Sequence, residues 1–145
     1  MNINSLPREL LLKIFSFITC DSIIESRELF CVCKDWNRML TLSSLLWMHV
    51  NLSYKRIRID KFIQIRHNIL SDLVVLNLRC AFNLKHDYLV GIIDCVKVDC
   101  LKVLDISNCR QIKSSIFINI ANKFKKLESL TMQSVTKVCF YIYLK

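Results

Sequence analysis

The sequence predicts an α+β or α/β solenoid, in which a few helices are followed by strands that alternate with helices. Two observations predict this order. Large apolar residues recur at helical spacing through the first fifty residues, and a second pattern, apolar at its first, fourth and sixth positions, then recurs four times. Hydrophobic residues make up 53% of the 145 residues, which is ample material for the core of about one domain.

The first helix is predicted at "LPRELLLKIFSF", residues 6–17. Ser5 is suited to the N-cap, and Pro7 fits the first helical turn, where its missing N–H costs nothing. The apolar residues lie on two adjacent faces, which are formed by Leu10, Ile14 and Phe17 and by Leu11, Phe15 and Ile18. A helix that packs against one core needs a single apolar stripe. We therefore expect one face to pack inward and the other to bind another protein.

Three more helical segments follow in the first half. Asp21 or Ser22 is a candidate cap for a second helix, "CVCKDWNRML" has helical spacing, and "SSLLW" predicts a short fourth turn. Three short helices in about fifty residues make a marginal core. We expect this unit to depend on a partner or on the chain that follows.

The second half repeats a six-residue pattern. The sequence reads "WMHVNL" from 47, "LVVLNL" from 73, "LKVLDI" from 101 and "LESLTM" from 127, at spacings of 26, 28 and 26 residues. Pattern and period are those of leucine-rich repeats. Each pattern predicts a strand, and helices are expected after the second and third, with Asp87 and Ser114 or Ser115 as caps. Cys109 is expected to fill a tight turn and bond to backbone.

The C-terminal stretch "VCFYIYLK" is apolar, and no helical pattern follows the fourth strand. Repeat arrays need a polar terminal unit for solubility. Either the array is truncated or its end pairs with something, and we favour a truncated array.

The net charge of +9 is unevenly distributed. Residues 1–50 hold five basic and five acidic residues, so the whole excess lies in the second half. The segment 55–66 is basic with apolar residues between the charges, a composition that is compatible with nucleic acid or anionic lipid. A solvated outer helix is the interpretation that we favour, because exposed charges mostly keep proteins soluble.

The sequence offers little for catalysis or metal binding. The eight cysteines form no CxxC pair, no secretory signal precedes them, and no apolar run is long enough to cross a membrane. The three histidines have no nucleophile beside them, and Gly91 is the only glycine, which excludes a glycine-rich phosphate loop. We expect a non-enzymatic intracellular protein with no cofactor and no metal, in the cytoplasm, the nucleus or both.

Four sequence elements, in order, carry a resemblance to a known family. They are Leu6-Pro7-x-Glu9-Leu10, Ile14-Phe15, Val32-Cys33-Lys34-x-Trp36 and Leu46-Trp47. Residues 4–50 thereby resemble the F-box, although the stretch between Phe15 and Val32 is a few residues longer than usual. The chain divides into an F-box at 1–46 and repeats at 47–145, which is similar to F-box proteins with leucine-rich repeats.

The resemblance implies a substrate receptor of an SCF-type ubiquitin ligase, which acts in ubiquitin conjugation and proteasomal degradation. The F-box would bind the Skp-type adaptor and, through it, the cullin and RING subunits. The family motif places the following residues at or beside that interface: Leu6, Pro7, Leu10, Ile14, Phe15, Val32, Cys33, Lys34, Trp36 and Trp47. Trp36 and Val32 could instead be core residues.

The repeats would bind a protein substrate. Because strand residues alternate between two faces, the third, fifth and seventh positions of each pattern face away from the core. These positions are Val75, Asn77, Arg79, Val103, Asp105, Ser107, Ser129, Thr131 and Gln133, with His49 and Asn51 from the first strand. Two alternatives remain: a repeat scaffold outside any ligase, or a basic module that binds nucleic acid. Against the second, aromatic base-stacking platforms are absent, so we expect no nucleic acid and no membrane partner.

Overall fold

A computed structural model of the protein describes residues 3–18, 27–54, 70–135 and 141–143. Helices come first and strands alternate with helices afterwards. The helices are α1 Arg8–Ile18, α2 Arg27–Val32, α3 Lys34–Leu42, α4 His86–Cys95 and α5 Ile116–Lys123. The strands are β1 His49–Asn51, β2 Val75–Asn77, β3 Val103–Asp105, β4 Ser129–Thr131 and β5 Tyr141–Tyr143. Short 3-10 turns cover Ile3–Ser5, Ser44–Trp47 and Leu70–Asp72.

The first helices follow from their sequence. The carbonyl of Pro7 accepts hydrogen bonds from the N–H groups of Leu10 and Leu11, at 3.0 and 3.1 Å, so the proline precedes α1 without loss of a bond. Ser5 ends a separate 3-10 turn, and α1 therefore begins later than a Ser5 cap implies. The third helix predicted over "CVCKDWNRML" is divided in the structure: Val32 ends α2, Cys33 is extended, and α3 begins at Lys34. The short turn predicted after it is confirmed. The predicted caps Asp21 and Ser22 lie outside the described residues.

The four predicted strands are confirmed, and they form a parallel sheet in the order of the chain. Their register aligns the same position of every pattern: Val50 lies beside Leu76, Leu76 beside Leu104, and Leu104 beside Leu130. These fourth-position residues are buried, as are the first-position and sixth-position residues, which are Trp47, Leu73, Leu101, Leu127, Leu52, Leu78, Ile106 and Met132. The apolar pattern therefore supplies the core on one side of the sheet.

Helices α4 and α5 follow β2 and β3, as expected, and bury Leu89, Ile92, Ile116 and Ile120. Their starts differ in detail from the sequence prediction. Helix α4 begins at His86, so Asp87 lies inside the first turn and the prediction that it caps the helix is wrong. An acidic residue there still stabilises the helix through its dipole. Ser115 does precede α5, but its side chain makes no capping bond.

Strand β5 was not expected from the sequence as an element of its own. It pairs antiparallel with β4, with Ser129 beside Tyr143, Leu130 beside Ile142 and Thr131 beside Tyr141. The interpretation that the end of the chain pairs with something is therefore the one that the structure supports. That the array is truncated stays a prediction.

One hydrophobic core runs from the helical segment into the sheet. Trp47 lies at the junction, because it ends the 3-10 turn after α3 and occupies the first position of the first repeat. Its indole N–H donates to the carbonyl of Leu40 at 2.9 Å within the core. The side chain thus ties α3 to the start of the sheet, and the two sequence regions share their packing.

Candidate interaction surfaces

Helix α1 presents one apolar face to the core and leaves another in solvent. Leu11 and Phe15 are buried, and the Phe15 ring meets the Trp36 ring edge-on with centroids 4.7 Å apart. On the adjacent face Leu10 is 49% exposed and Phe17 is 70% exposed, with Ile14 half-buried between them. We call Leu10, Ile14 and Phe17 the outer stripe of α1. Ile18, which the sequence pattern places on the face of Leu11 and Phe15, is 53% exposed at the end of α1.

The corner between α2 and α3 carries the second sequence motif. Val32 is 54% exposed, Lys34 is exposed and Cys33 is half-buried. The Asn37 amide donates to the carbonyl of Phe30 at 3.0 Å, which fixes the end of α2 against the first turn of α3. A shallow pocket of about 370 Å³ opens at this corner, lined by Phe30, Cys31, Cys33, Lys34 and Asn37.

A longer groove separates the start of α1 from α3. Its volume is about 540 Å³, and its lining contains apolar residues and charges of both signs. The lining residues are Leu6, Arg8, Leu11, Asp35, Trp36, Arg38, Met39 and Leu42. The groove, the corner and the outer stripe together leave the helical segment with several apolar openings to solvent.

The residues assigned to the adaptor interface fall into two groups. Exposed or half-buried are Leu6, Pro7, Leu10, Ile14, Val32, Cys33 and Lys34. Buried are Phe15, Trp36 and Trp47, which hold the helices together and present little surface to a partner. Val32 is thus no core residue, whereas Trp36 is one. The sequence motif did not include Phe17, Leu42 and Leu45, which are among the most exposed apolar residues of the described segment. Phe17 is seven residues from Leu10 and lies on the face that the helical pattern predicts for both.

The strand face opposite the core consists of rows that run across the sheet. One row contains His49, Val75, Val103 and Ser129, and the next contains Asn51, Asn77, Asp105 and Thr131. In the second row the acceptor oxygens close the turn after the strand: Asn77 accepts from the N–H of Arg79 at 3.0 Å, and Asp105 accepts from that of Ser107 at 2.8 Å. The row is therefore polar but partly occupied by the protein's own backbone.

Of the residues predicted to contact substrate, Arg79 and Gln133 are exposed, and most of the others are half-buried on the strand face. Ser107 is different. It is buried, and its hydroxyl accepts a hydrogen bond from the N–H of Gln133 at 3.2 Å. Ser107 therefore belongs to the packed turn, because the chain bends inward directly after β3.

The turn after each strand has the same backbone shape. Tyr54, Cys80, Asn108 and Ser134 all have positive φ, between 54° and 60°, and each lies seven residues after the first position of its pattern. Non-glycine residues rarely adopt this conformation. The N–H groups of the first three donate to the next turn, on the carbonyls of Arg79, Ser107 and Gln133 at 2.7–2.8 Å. The backbone ladder therefore continues beyond the strands.

Cys109 fills the turn after β3, as predicted. Its Sγ lies 3.1 Å from the carbonyl oxygen of Leu78, and the side chain is buried. Burial raises the pKa of this thiol to about 11, from an ordinary value of 9.0. At neutral pH the group is a protonated donor, which suits a structural bond and not a metal ligand.

The described residues contain no cluster of three or more His, Cys, Asp or Glu side chains able to hold a metal ion. The six cysteines that the structure describes are free thiols. No helix among these residues is long and apolar enough to span a bilayer.

Comparison with known families identifies residues 3–53 as an F-box-like domain. The matched segment contains α1 to α3, the outer stripe, the α2–α3 corner and β1. F-box domains generally bind Skp-type adaptors and are typically non-catalytic. No curated protein was found to match the chain.

Proposed function

We propose that this protein is the substrate-recognition subunit of an SCF-type ubiquitin ligase. The observation that carries the proposal is the outer stripe of α1, an apolar surface left in solvent inside the segment that matches F-box-like domains. The F-box would bind the Skp-type adaptor, and the adaptor would connect it to cullin and RING subunits. A soluble domain gains nothing from leaving Leu10 and Phe17 in water, so a partner that covers them gives the exposure a function.

The adaptor surface that we propose includes Leu10, Ile14 and Phe17 on α1 and Val32 at the α2–α3 corner. Full burial of a side chain of this size contributes about 1.5–3 kcal/mol. Leu10 and Phe17 would therefore supply a large share of the binding free energy, as anchors do in other interfaces. Phe15, Trp36 and Trp47 would act indirectly, because they hold α1 and α3 in the geometry that presents this surface.

The second region, 47–145, is in our proposal a short leucine-rich-repeat array with solenoid geometry. Support comes from the in-register parallel strands, the burial of each pattern position and the positive φ at the same place in four successive turns. The face that carries Val75, Asn77, Val103, Asp105 and Thr131 would contact a protein substrate. The boundary at residue 46 would then separate two functions, although the hydrophobic core continues across it.

The protein would act by tethering and not by chemistry of its own. Binding the ligase at one end and a substrate at the other raises the effective concentration of substrate lysines near the charged conjugating enzyme. Substrates would be directed to proteasomal degradation, and the complex would operate in the cytoplasm, the nucleus or both.

Calorimetric titration of the full chain with a purified Skp-type adaptor tests the proposal. Replacing Leu10 and Phe17 together by Ala should weaken binding by at least about 2 kcal/mol, which is roughly a thirtyfold change in Kd. The matched control replaces Val98 and Ile118, which are exposed apolar residues of the repeat region, and should leave Kd unchanged. Circular dichroism should show that both variants are folded.

Two outcomes would reject the assignment. If the wild-type chain does not bind the adaptor at all, the protein is a repeat scaffold outside the ligase. If it binds and the two double variants behave alike, the outer stripe is not the adaptor surface.

A further inference from the structure

The basic side chains around the parallel sheet differ between its two edges. At the edge where the strands begin, every lysine that the structure describes is engaged. Lys97, Lys102 and Lys126 pair with Asp72, Glu128 and Asp99 at 2.6, 2.9 and 3.6 Å. Lys123 and Lys125 donate to helix carbonyls, at 2.6 Å for Ile93 and 2.9 Å for Ala121. These charges have a structural role, because they link neighbouring units and helix ends.

At the opposite edge, where the strands end, four cations have no such role. Arg79, Lys85, Arg110 and Lys113 are all exposed, and their charged groups make no ion pair or hydrogen bond within the described part of the chain. We call these four residues the basic edge. Lys85 directly precedes α4, whose N-terminus already carries a partial positive charge, so the lysine does not stabilise that helix.

The repeated geometry places the four residues on neighbouring loops. Lys85 and Lys113 each lie twelve residues after the first position of their pattern, at Leu73 and Leu101. The loop that contains Lys113 contacts the start of α4, since the N–H of Lys113 donates to the His86 Nδ1 at 3.4 Å. A second bond joins the same loops, from the Gln111 amide to the carbonyl of Phe82 at 3.4 Å. Cations of adjacent units are thus stacked on one edge.

Two carboxylates lie near the basic edge and reduce its charge without cancelling it. Asp87 is exposed in the first turn of α4, and Asp105 lies on β3 with one oxygen bonded to the N–H of Ser107. Four cations and two carboxylates therefore leave this edge with a positive charge. Phe82, which is 59% exposed on the same loops, adds an apolar contact. The surface is small, carries a net positive charge and contains both polar and apolar groups.

We propose that the basic edge binds an acidic peptide segment, rich in Asp or Glu, of the protein substrate. The inference rests on the proposed function for the identity of the peptide as part of a substrate, and it extends the substrate surface from the strand face to the loops at the strand ends. The unpaired charges favour an anionic partner by complementarity. A peptide fits better than a nucleic acid, because four cations would neutralise few backbone phosphates, and nucleic-acid affinity comes mainly from that neutralisation.

Fluorescence anisotropy of a labelled glutamate-rich peptide, titrated with the full chain at about 0.15 M ionic strength, tests the proposal. Replacing Arg79 and Arg110 by Ala should weaken binding by about tenfold. The matched control, Lys102→Ala with Lys125→Ala, removes the same charge from the opposite edge and should change Kd by less than about threefold. The reversed variant, Arg79→Glu with Arg110→Glu, should abolish binding of this peptide and gain affinity for a lysine-rich one.

Equal losses in the two Ala variants would overturn the proposal, because attraction would then depend on net charge alone. The proposal also fails if a single-stranded oligonucleotide binds more tightly than the peptide and is lost in the same variant. Adaptor titrations on these proteins separate the two hypotheses. Peptide binding with no adaptor binding rejects the ligase role and keeps the basic edge, whereas the reverse result rejects the basic edge alone.

Discussion

The two regions of this molecule use their apolar residues in opposite ways. In β2 to β4 and the elements between them, every apolar position of the repeated pattern is buried. In the helical segment, Leu10, Phe17, Val32 and Leu45 are each about half exposed or more. The repeats also align backbone groups into one continuous ladder, while the helices are held mainly by side-chain packing around Phe15, Trp36 and Leu40.

This difference separates two kinds of surface. A region that buries its apolar residues presents a polar face to a partner, and its recognition depends on hydrogen bonds and charge. A region that leaves them exposed has an apolar face that a stable partner must cover. Under the proposed function, the adaptor would bind the helices and the substrate would bind the region of the parallel strands.

The largest effect is expected at the residue that both regions share. Trp47→Ala should lower the free energy of unfolding by about 3–5 kcal/mol, because it leaves a cavity where α3 meets the first strand. Trp47→Phe retains an aromatic ring but loses the bond to Leu40, and should cost less, about 1–3 kcal/mol. Urea unfolding followed by far-UV circular dichroism measures both. Two separate transitions in the wild-type chain would show that the regions do not share one core.

Neighbouring residues of β3 should respond differently. Leu104 faces the core, and Leu104→Ala should cost about 2–5 kcal/mol in unfolding free energy. Val103 lies on the opposite face, half-buried, so Val103→Ala should cost about 1 kcal/mol or less. The same unfolding assay applies. Equal costs would mean that the two faces of the sheet are packed alike.

A smaller effect is expected at the turn after β3. Asp105→Ala removes the acceptor for the N–H of Ser107 and should cost about 1 kcal/mol. Asp105→Asn retains an acceptor oxygen at the same position and is the control. Thermal melting of the two variants compares them. If Asn is as damaging as Ala, the carboxylate charge and not the turn bond is what stabilises this site.

A different kind of effect is expected for the pH dependence of stability, through Cys109. Burial raises the pKa of its thiol to about 11, whereas an unfolded thiol ionises near 9.0. The folded state therefore holds the proton more tightly, and this contribution to stability is complete below pH 9 and is lost as pH rises toward 11. The stability difference between wild type and Cys109→Ala should shrink over that interval in urea titrations. A constant difference would show that the thiol is not desolvated.

Much of the repeat region could be predicted from the sequence because its signal is redundant. Spacing and apolar pattern agree in four units, so the four strands follow from the sequence. The two apolar faces of α1 were also predictable, because Leu10 and Ile14, like Leu11 and Phe15, are four residues apart. The sequence pattern could not decide how deeply each side chain is buried. Trp36 and Val32 share one motif, yet Trp36 is buried and Val32 is exposed.

Other features depend on tertiary contacts that leave no local signal. Ser107 follows the alternation of an exposed strand position, but the backbone turns inward there and buries it. Strand β5 has no repeat pattern, and its pairing is set by the free edge of β4. The positive φ of Tyr54 and Cys80 lies at residues with no preference for it, because the repeated turn imposes the conformation. The expected helix over the basic segment 55–66 lies outside the described residues.

Hydrogen–deuterium exchange of the full chain, with and without a saturating Skp-type adaptor, tests the division between the two regions most directly. We predict slower exchange in α1 and at the α2–α3 corner, residues 8–18 and 27–42, because the adaptor covers their exposed apolar side chains. Peptides that contain β2, β3 and the loops of the basic edge should exchange as in the free protein. Protection of the strand face with none on α1 would contradict the assignment of the adaptor to the helices.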